Sequence, residues 1–242
     1  MLTVTIFTYK RLSSLNKCIQ SLDSKEISEI LIFNDDETSK LTMKDLIIDD
    51  NQKIFTNIYN PIDFGFNDRC FRKPIYINEA MKIAKNKFVL FSDDDGTFVS
   101  GTIDAHIKPL QNYPFSAGGV IRSRFLNKIS KSILQGTNYG FEKEFFNSIG
   151  GYDENFVKSM GGGDVDFWYR IYNYVKNNKI DVAFLPDAIQ KVNSKSTRKK
   201  NQQQLDPKEY TIKKHNVNIN GPMYTWFKEI RTKDKWMKVI NN

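Results

Sequence analysis

The chain has 242 residues, 40% of them hydrophobic, which is enough for the core of one large α/β domain or two small ones. A net charge of +8 and a pI near 9.2 point to polyanionic neighbours such as nucleic acid, anionic lipid or a phosphorylated substrate, without choosing among them. The two cysteines, Cys18 and Cys70, lie far apart with no second pair or nearby His, so neither a disulfide framework nor a zinc site is indicated. No apolar stretch approaches the roughly 18 residues that span a bilayer, and residues 1–7 lack the cationic flank of a signal peptide, so a cytoplasmic location is expected.

Residues 2–8 have the β-branched and aromatic content of a strand, and polar Tyr9, Lys10 and Arg11 follow. Leu12, Leu15, Ile19 and Leu22 then recur at helical spacing, with Ser13 or Ser14 available as a cap. A second apolar run, residues 30–33, stops at Asn34, Asp35 and Asp36. A helix is expected over 41–48 and a third strand over 53–57. After a loop containing Pro61, Gly65 and Pro74, the residues Ile77, Met81 and Ala84 give a helical face. It leads into the apolar run 88–91, which ends at Asp93, Asp94 and Asp95. Beyond Gly96 the pattern predicts a helix over 102–110, strands over 117–122 and 135–141, and a helix over 142–149 closed by Gly150 and Gly151. Three glycines, 161–163, precede Asp164 and Asp166, which fall in the first turn of a helix with Val165, Trp168, Ile171, Tyr172 and Val175 on its apolar face.

Strands alternating with helices argue for βαβ units and a mostly parallel sheet, whose strands are covered on both faces and read as continuous apolar runs. Ligands of open α/β sheets bind outside the carboxyl ends of the strands, so the corners at Tyr9, Asp35 and Asp93 should converge on one crevice. No dinucleotide-binding glycine motif or P-loop occurs. Asp93 and Asp95, two apart on an extended chain, can face one cation together while Asp94 points away. Magnesium or manganese suits such a pair, because these ions take one or two carboxylates plus the oxygens of a diphosphate. An EF-hand is excluded, since placing Gly96 at its obligatory glycine puts Phe91 at the first ligand position. At Asp164 and Asp166 two readings stand side by side. The acids can cap the helix and complement its dipole, or one can act as a general base, a reading favoured by three glycines that permit close approach of a ligand.

These segments together resemble the nucleotide-sugar glycosyltransferases of the GT-A fold, particularly family two, with a C-terminal motif similar to that of the β-1,4-galactosyltransferases. Residues 5–11 resemble the opening strand and nucleotide-binding turn, 29–36 the second strand, and 78–95 the helix and Asp-x-Asp strand. Residues 150–167 resemble the stretch that carries the catalytic acid. The resemblance implies that Thr8, Tyr9, Arg11, Asp35, Asp93 and Asp94 meet the nucleotide, and that Asp93 and Asp95 hold Mn2+ or Mg2+. It further implies Asp164 as the base that activates the acceptor hydroxyl, and Gly162, Gly163 and Asp166 as acceptor contacts. The implied reaction is inverting transfer from a nucleoside diphosphate sugar, with a UDP-sugar as expected donor.

Three departures stand out. Gly163 replaces the family's Glu before the base. Ile77 replaces an Arg, leaving Arg69, Arg72 or Lys73 to meet the phosphates. Asn193 stands where galactosyltransferases carry a metal-binding His, unless His106 or His215 folds back. The expected organisation is a GT-A domain over 1–185, with a nucleotide-binding half (1–96) and an acceptor half (97–185). A basic loop and C-terminal extension over 186–242 would pack on the same domain, with 186–206 as a loop ordering over the diphosphate. A glycan is the expected acceptor, and peripheral contact with an anionic membrane is compatible with the charge. Lys195, Arg198, Lys199 and Lys200 keep open a DNA-modifying enzyme, and Gly163 with Asn193 a non-catalytic sugar-nucleotide or nucleic-acid binding module.

Overall fold

The computed structural model describes residues 1–65, 72–122, 136–159, 161–193, 205–223, 225–227 and 237–240. The first half alternates β1 (Leu2–Thr8), α1 (Leu12–Gln20), β2 (Ile27–Asn34), α2 (Asp50–Ile54), β3 (Thr56–Tyr59), α3 (Lys73–Ile83) and β4 (Phe88–Asp93). The second half holds β5 (Gly96–Phe98), α4 (Thr102–Leu110), β6 (Phe115–Arg122), β7 (Tyr139–Glu142), α5 (Lys143–Ser148) and α6 (Gly163–Asn178). After it come β8 (Ala183–Val192), α7 (Pro207–His215) and β9 (Lys238–Val239).

Among the described residues all nine strands share one sheet, in the order β3-β2-β1-β4-β7-β6-β8-β5 with β9 beside β8. The pairs β3–β2, β2–β1 and β1–β4 are parallel, as right for strands joined by helical crossovers. At β7 the sheet turns antiparallel to β4 and β6. Every residue of β1 is buried, because helices cover both faces. Alternate side chains therefore enter two cores. Val4 and Ile6 pack with Leu15, Cys18 and Ile19 of α1. Phe7, Phe33 and Phe91 join the aromatic core of α3, α5 and α6, where Phe141, Phe167 and Trp168 are fully buried.

Most of the parallel half and the long helices follow the sequence expectation, and five local features depart from it, the first being the strand expected over 135–141, which runs over Tyr139–Glu142. Helix α1 has Arg11 at its N-cap position with no side-chain cap, so neither Ser13 nor Ser14 serves as one. The helix expected over 41–48 is one 3-10 turn, Met43–Asp45, fixed by Asp45 accepting from the Thr42 amide at 2.8 Å. The strand expected over 53–57 is shifted to 56–59, because Asp49 caps α2 by accepting from the Gln52 amide and carries helix through Ile54. Residues 186–192 are strand, not loop, and β8 runs across position 185, where the sequence reading divides the chain.

Pro186 conceals β8 in the sequence, since proline breaks a ladder. The sheet absorbs it in a bulge: Gly118 pairs with Leu185 and the next residue, Gly119, pairs with Ile189. A Cβ on Gly119 would stand 2.8 Å from the Pro186 carbonyl, so the bulge requires glycine there. Beyond α7, Ile219, Met223, Trp226 and Phe227 are buried in the large aromatic core. No helix among the described residues is long and apolar enough to cross a membrane.

Candidate active site at the strand ends

The turn after β1 and the acids after β4 are tied together through Asp94. Its carboxylate is fully buried and accepts from Thr8 Oγ1 at 2.6 Å, the Tyr9 amide at 3.3 Å and Arg11 Nε at 3.2 Å. Arg11 adds a second contact to Asp94 at 2.7 Å and reaches Asp95 at 3.0 Å. Burial pushes the Asp94 carboxyl up to about 7, against the opposing charge of Arg11 and the Thr8 hydrogen bond. The middle acid thus points into the protein, toward Thr8 and Arg11. Asp35 enters the same corner, its amide donating to the Thr8 carbonyl at 2.8 Å. Its carboxylate receives Arg72 at 3.0 Å, and Arg72 is itself completely buried.

Asp93 is the more open acid, with 27% of its side chain exposed, and its partner is the Lys73 ammonium. Lys73 also donates to the Gly136 carbonyl at 2.7 Å and lies 5.5 Å from the ring centre of Phe7. Of the three cations expected near the phosphates, Arg72 is committed to Asp35, Arg69 lies outside the described residues, and Lys73 stands at the crevice.

Asp164 faces the same place from α6. A Cβ on Gly136 would lie 3.4 Å from Lys73 Nζ and 3.9 Å from Asp164 Oδ2, so ammonium and carboxylate border one small volume. Burial pushes the Asp164 carboxyl up, while the Lys73 charge and the Val165 amide, donating at 3.0 Å, oppose the rise. The phenols of Tyr139 and Tyr152 are buried within reach of the Asp164 charge. Neither tyrosine stands out in the sequence as a site residue, since each reads as part of an aromatic core.

Asp166 is differently placed. Its carboxylate is fully buried and holds Arg170 at 2.9 Å, Lys214 at 2.9 Å and His215 at 2.7 Å. Burial works against its ionisation, yet these three partners keep its pKa below the usual carboxylate range. Beside it Asp153 takes Tyr210 and Lys214, each at 2.8 Å. The two acids therefore dock α7. Gly162 serves the same docking, since a Cβ there would stand 2.6 Å from Pro207, whereas one on Gly163 would stand 3.1 Å from Phe156 of the preceding turn. The close approach expected of a ligand is made there by the chain's own residues.

His106 is completely buried between Ser116 and Asn138, and His215 is held by Asp166, so neither folds back to the acidic corner. Asn193 does lie there, its amide donating to the Asp95 carbonyl at 3.2 Å. Among the described residues no group of three or more His, Cys, Asp or Glu is arranged to hold a metal ion. The basic residues Lys195 to Lys200 lie outside the described residues.

The sequence model of glycosyl transferase family 2 matches residues 3–181. The crystal structure of S. aureus TarS 1-349 in complex with UDP-GlcNAc is similar in fold, with a TM-score of 0.58 at 15% identity, covering 93% of this chain and 68% of that one. A mycobacterial protein of known structure aligns with a TM-score of 0.55 at 12% identity, covering 91% and 76% of the two chains. Comparison with curated proteins gives no match.

Proposed function

Because the chain belongs to glycosyl transferase family 2 and is a glycosyltransferase, we propose that it moves a sugar from a UDP-sugar to a glycan hydroxyl, inverting the anomeric centre, with Asp164 as general base. The observation that carries this is the grouping of Asp93, Lys73 and Asp164 around one volume at the carboxyl ends of the strands. The presence of UDP-GlcNAc in the similar TarS structure supports the choice of donor.

Asp93 and Asp95 are oxygen donors flanking a buried Asp94, a set that suits Mg2+ or Mn2+ with the remaining positions filled by diphosphate and water. Such an ion, when bound, supplies positive charge to the departing diphosphate. The protein's own residues do the rest. Thr8, Tyr9 and Arg11 are fixed by Asp94 as the wall against which the nucleotide lies. Lys73 brings a full positive charge beside Asp93, where negative charge grows as the glycosidic C–O bond to phosphate breaks. Asp164 takes the proton of the acceptor hydroxyl as its oxygen bonds to the anomeric carbon from the opposite face. Inversion follows from that single displacement.

The test is UDP release and transfer with UDP-sugars and Mn2+, comparing the wild type with Asp164→Asn. Asparagine keeps the shape and cannot accept the proton, so the rate should fall about 100- to 10,000-fold. Full activity in the variant sinks the assignment. Asp95→Ala should likewise abolish transfer without unfolding the protein.

A further inference from the structure

Asp93 sits where the sheet stops supporting β4 from one side. The antiparallel ladder between β4 and β7 ends at the pair Phe91 and Tyr139, two residues short of Asp93. The Asp94 amide donates to the Phe7 carbonyl of β1 at 3.1 Å, so the amide and carbonyl of Asp93 point the other way, to the side where the β7 ladder has ended. Side chains take over there. The Asp93 amide donates to Thr137 Oγ1 at 2.9 Å, and Ser92 Oγ donates to the Asp93 carbonyl at 2.9 Å. Gln190 of β8 joins the two hydroxyls: Thr137 Oγ1 donates to its Oε1 at 2.6 Å, and its Nε2 donates to Ser92 Oγ at 2.7 Å. The ring closes on the Asp93 backbone with each donor matched to an acceptor. Ser92 and Gln190 are completely buried and Thr137 nearly so, while the Asp93 carboxylate stays open to the crevice.

Two glycines make room for this ring. A Cβ on Gly96 would stand 2.2 Å from Gln190 Nε2, so the residue that follows the three acids must lack one. The bulge that pairs Gly119 with Ile189 lies immediately before Gln190 and sets which way it points. The two hydroxyls alone would satisfy the Asp93 backbone; Gln190 adds orientation, because an amide with its oxygen at Thr137 and its nitrogen at Ser92 holds both hydroxyls in one arrangement. An acid that serves a reaction must be held within about 0.5 Å of its working position by such neighbours. We infer that Thr137 and Gln190 are positioning residues, which hold the Asp93 backbone so that its carboxylate meets the donor diphosphate and which touch no ligand themselves. The inference rests on the glycosyltransfer reading, in which Asp93 serves the donor, and deepens it by naming what holds that acid.

The test is calorimetric titration of the full chain with UDP in Mn2+, together with kcat/KM for transfer and thermal unfolding without ligand. The variants are Thr137→Val, Thr137→Ser, Gln190→Met, Asp93→Ala and, as a control, Ser116→Ala. Ser116 bonds the buried His106 at 2.8 Å, so Ser116→Ala removes a comparable buried hydrogen bond that does not reach Asp93. Thr137→Val and Gln190→Met should weaken UDP binding and lower kcat/KM about 10- to 100-fold, as loss of an outer-shell partner does. Thr137→Ser, which keeps the hydroxyl, should bind UDP within about 3-fold of wild type. Ser116→Ala should lower the unfolding temperature as Thr137→Val does and leave UDP affinity unchanged, a split that a purely structural role of Thr137 does not produce. Wild-type UDP affinity in Thr137→Val and Gln190→Met, a Thr137→Ser no better than Thr137→Val, or an equal loss of affinity in Ser116→Ala overturns the inference. Asp93→Ala separates it from its premise. Weakened binding there beside normal binding in Thr137→Val sinks only the positioning role, whereas wild-type binding and transfer by Asp93→Ala, or a wild type that binds no UDP, sinks the reading and the inference together.

Discussion

The protein has two acidic clusters, and each divides its acids in the same way. At the end of β4, Asp94 is buried under Thr8 and Arg11 while Asp93 and Asp95 stay at the crevice. At the start of α6, Asp166 is buried under Arg170, Lys214 and His215 while Asp164 stays beside Lys73. One acid of each cluster is buried as an anchor of the chain, and its neighbours, Asp93 and Asp95 in the first and Asp164 in the second, are only partly buried. The division has a different geometric origin in the two places, the turn that Asp94 and Asp95 form between β4 and β5 in the first and angular separation around a helix in the second. Acid count in a motif is therefore a poor guide to how many acids reach a ligand.

The comparison breaks first at Asp164 and Asp166, two residues apart. Asp164→Asn should reduce turnover by about three orders of magnitude, with stability unchanged or slightly raised. The sign follows from burial, which already lifts the Asp164 carboxyl and so favours an uncharged side chain there. For the same reason the acid limb of the kcat/KM profile should lie above the usual aspartate range. Lys73→Met, which removes the opposing charge, should move that limb higher still. Asp166→Ala should show the reverse pattern. It leaves Arg170, Lys214 and His215 without the buried carboxylate they share, which costs about 3–5 kcal/mol of stability. Urea denaturation measures this, and turnover per folded molecule should hardly change. A stable, inactive Asp166→Ala would show that this acid faces the acceptor after all.

How much of this was legible in the sequence depends on where the deciding contact lies. The parallel half was legible because buried strands read as unbroken apolar runs that stop at polar corners, as at Thr8, Asn34 and Asp93. Residues 41–48 misled because Leu41, Met43, Leu46 and Ile48 all pack on the core without a helix to space them. Strand β8 was hidden by Pro186, whose tolerance depends on Gly119, 67 positions earlier in a partner strand. The grouping of Lys73 with Asp164 joins residues from two helices, and no local pattern announces it. The glycines before Asp164 were read as permitting close approach of a ligand, but the neighbour that crowds Gly162 is Pro207 of α7, more than 40 residues downstream.

That last point yields a smaller effect. Gly162 has φ +86 and faces Pro207, so Gly162→Ala meets both backbone strain and a clash. The loss should be about 2–3 kcal/mol, combining the left-handed penalty with overpacking. Limited proteolysis should then show α7 released before the sheet unfolds. If Gly162→Ala instead leaves stability intact and abolishes transfer, the glycine serves a ligand and not the docking of α7.

The smallest effect tests the same docking through pH. Asp153 is held down to about 2: burial opposes ionisation, but Lys214, the Asn155 amide and Tyr210 together favour the charged form. A carboxyl depressed in the folded state binds its proton less tightly there than in the unfolded chain. Its stabilisation is therefore complete above the ordinary aspartate range near ~4 and disappears as pH falls toward its folded value. The contribution at neutral pH is on the order of 2 kcal/mol, since its side chain is largely shielded from solvent. Asp153→Asn should be less stable than wild type by that amount at pH 7, and urea midpoints of the two proteins should converge on acidification. A constant difference at all pH values would mean that the Tyr210 and Asn155 hydrogen bonds, and not the charge on Lys214, hold α7 in place.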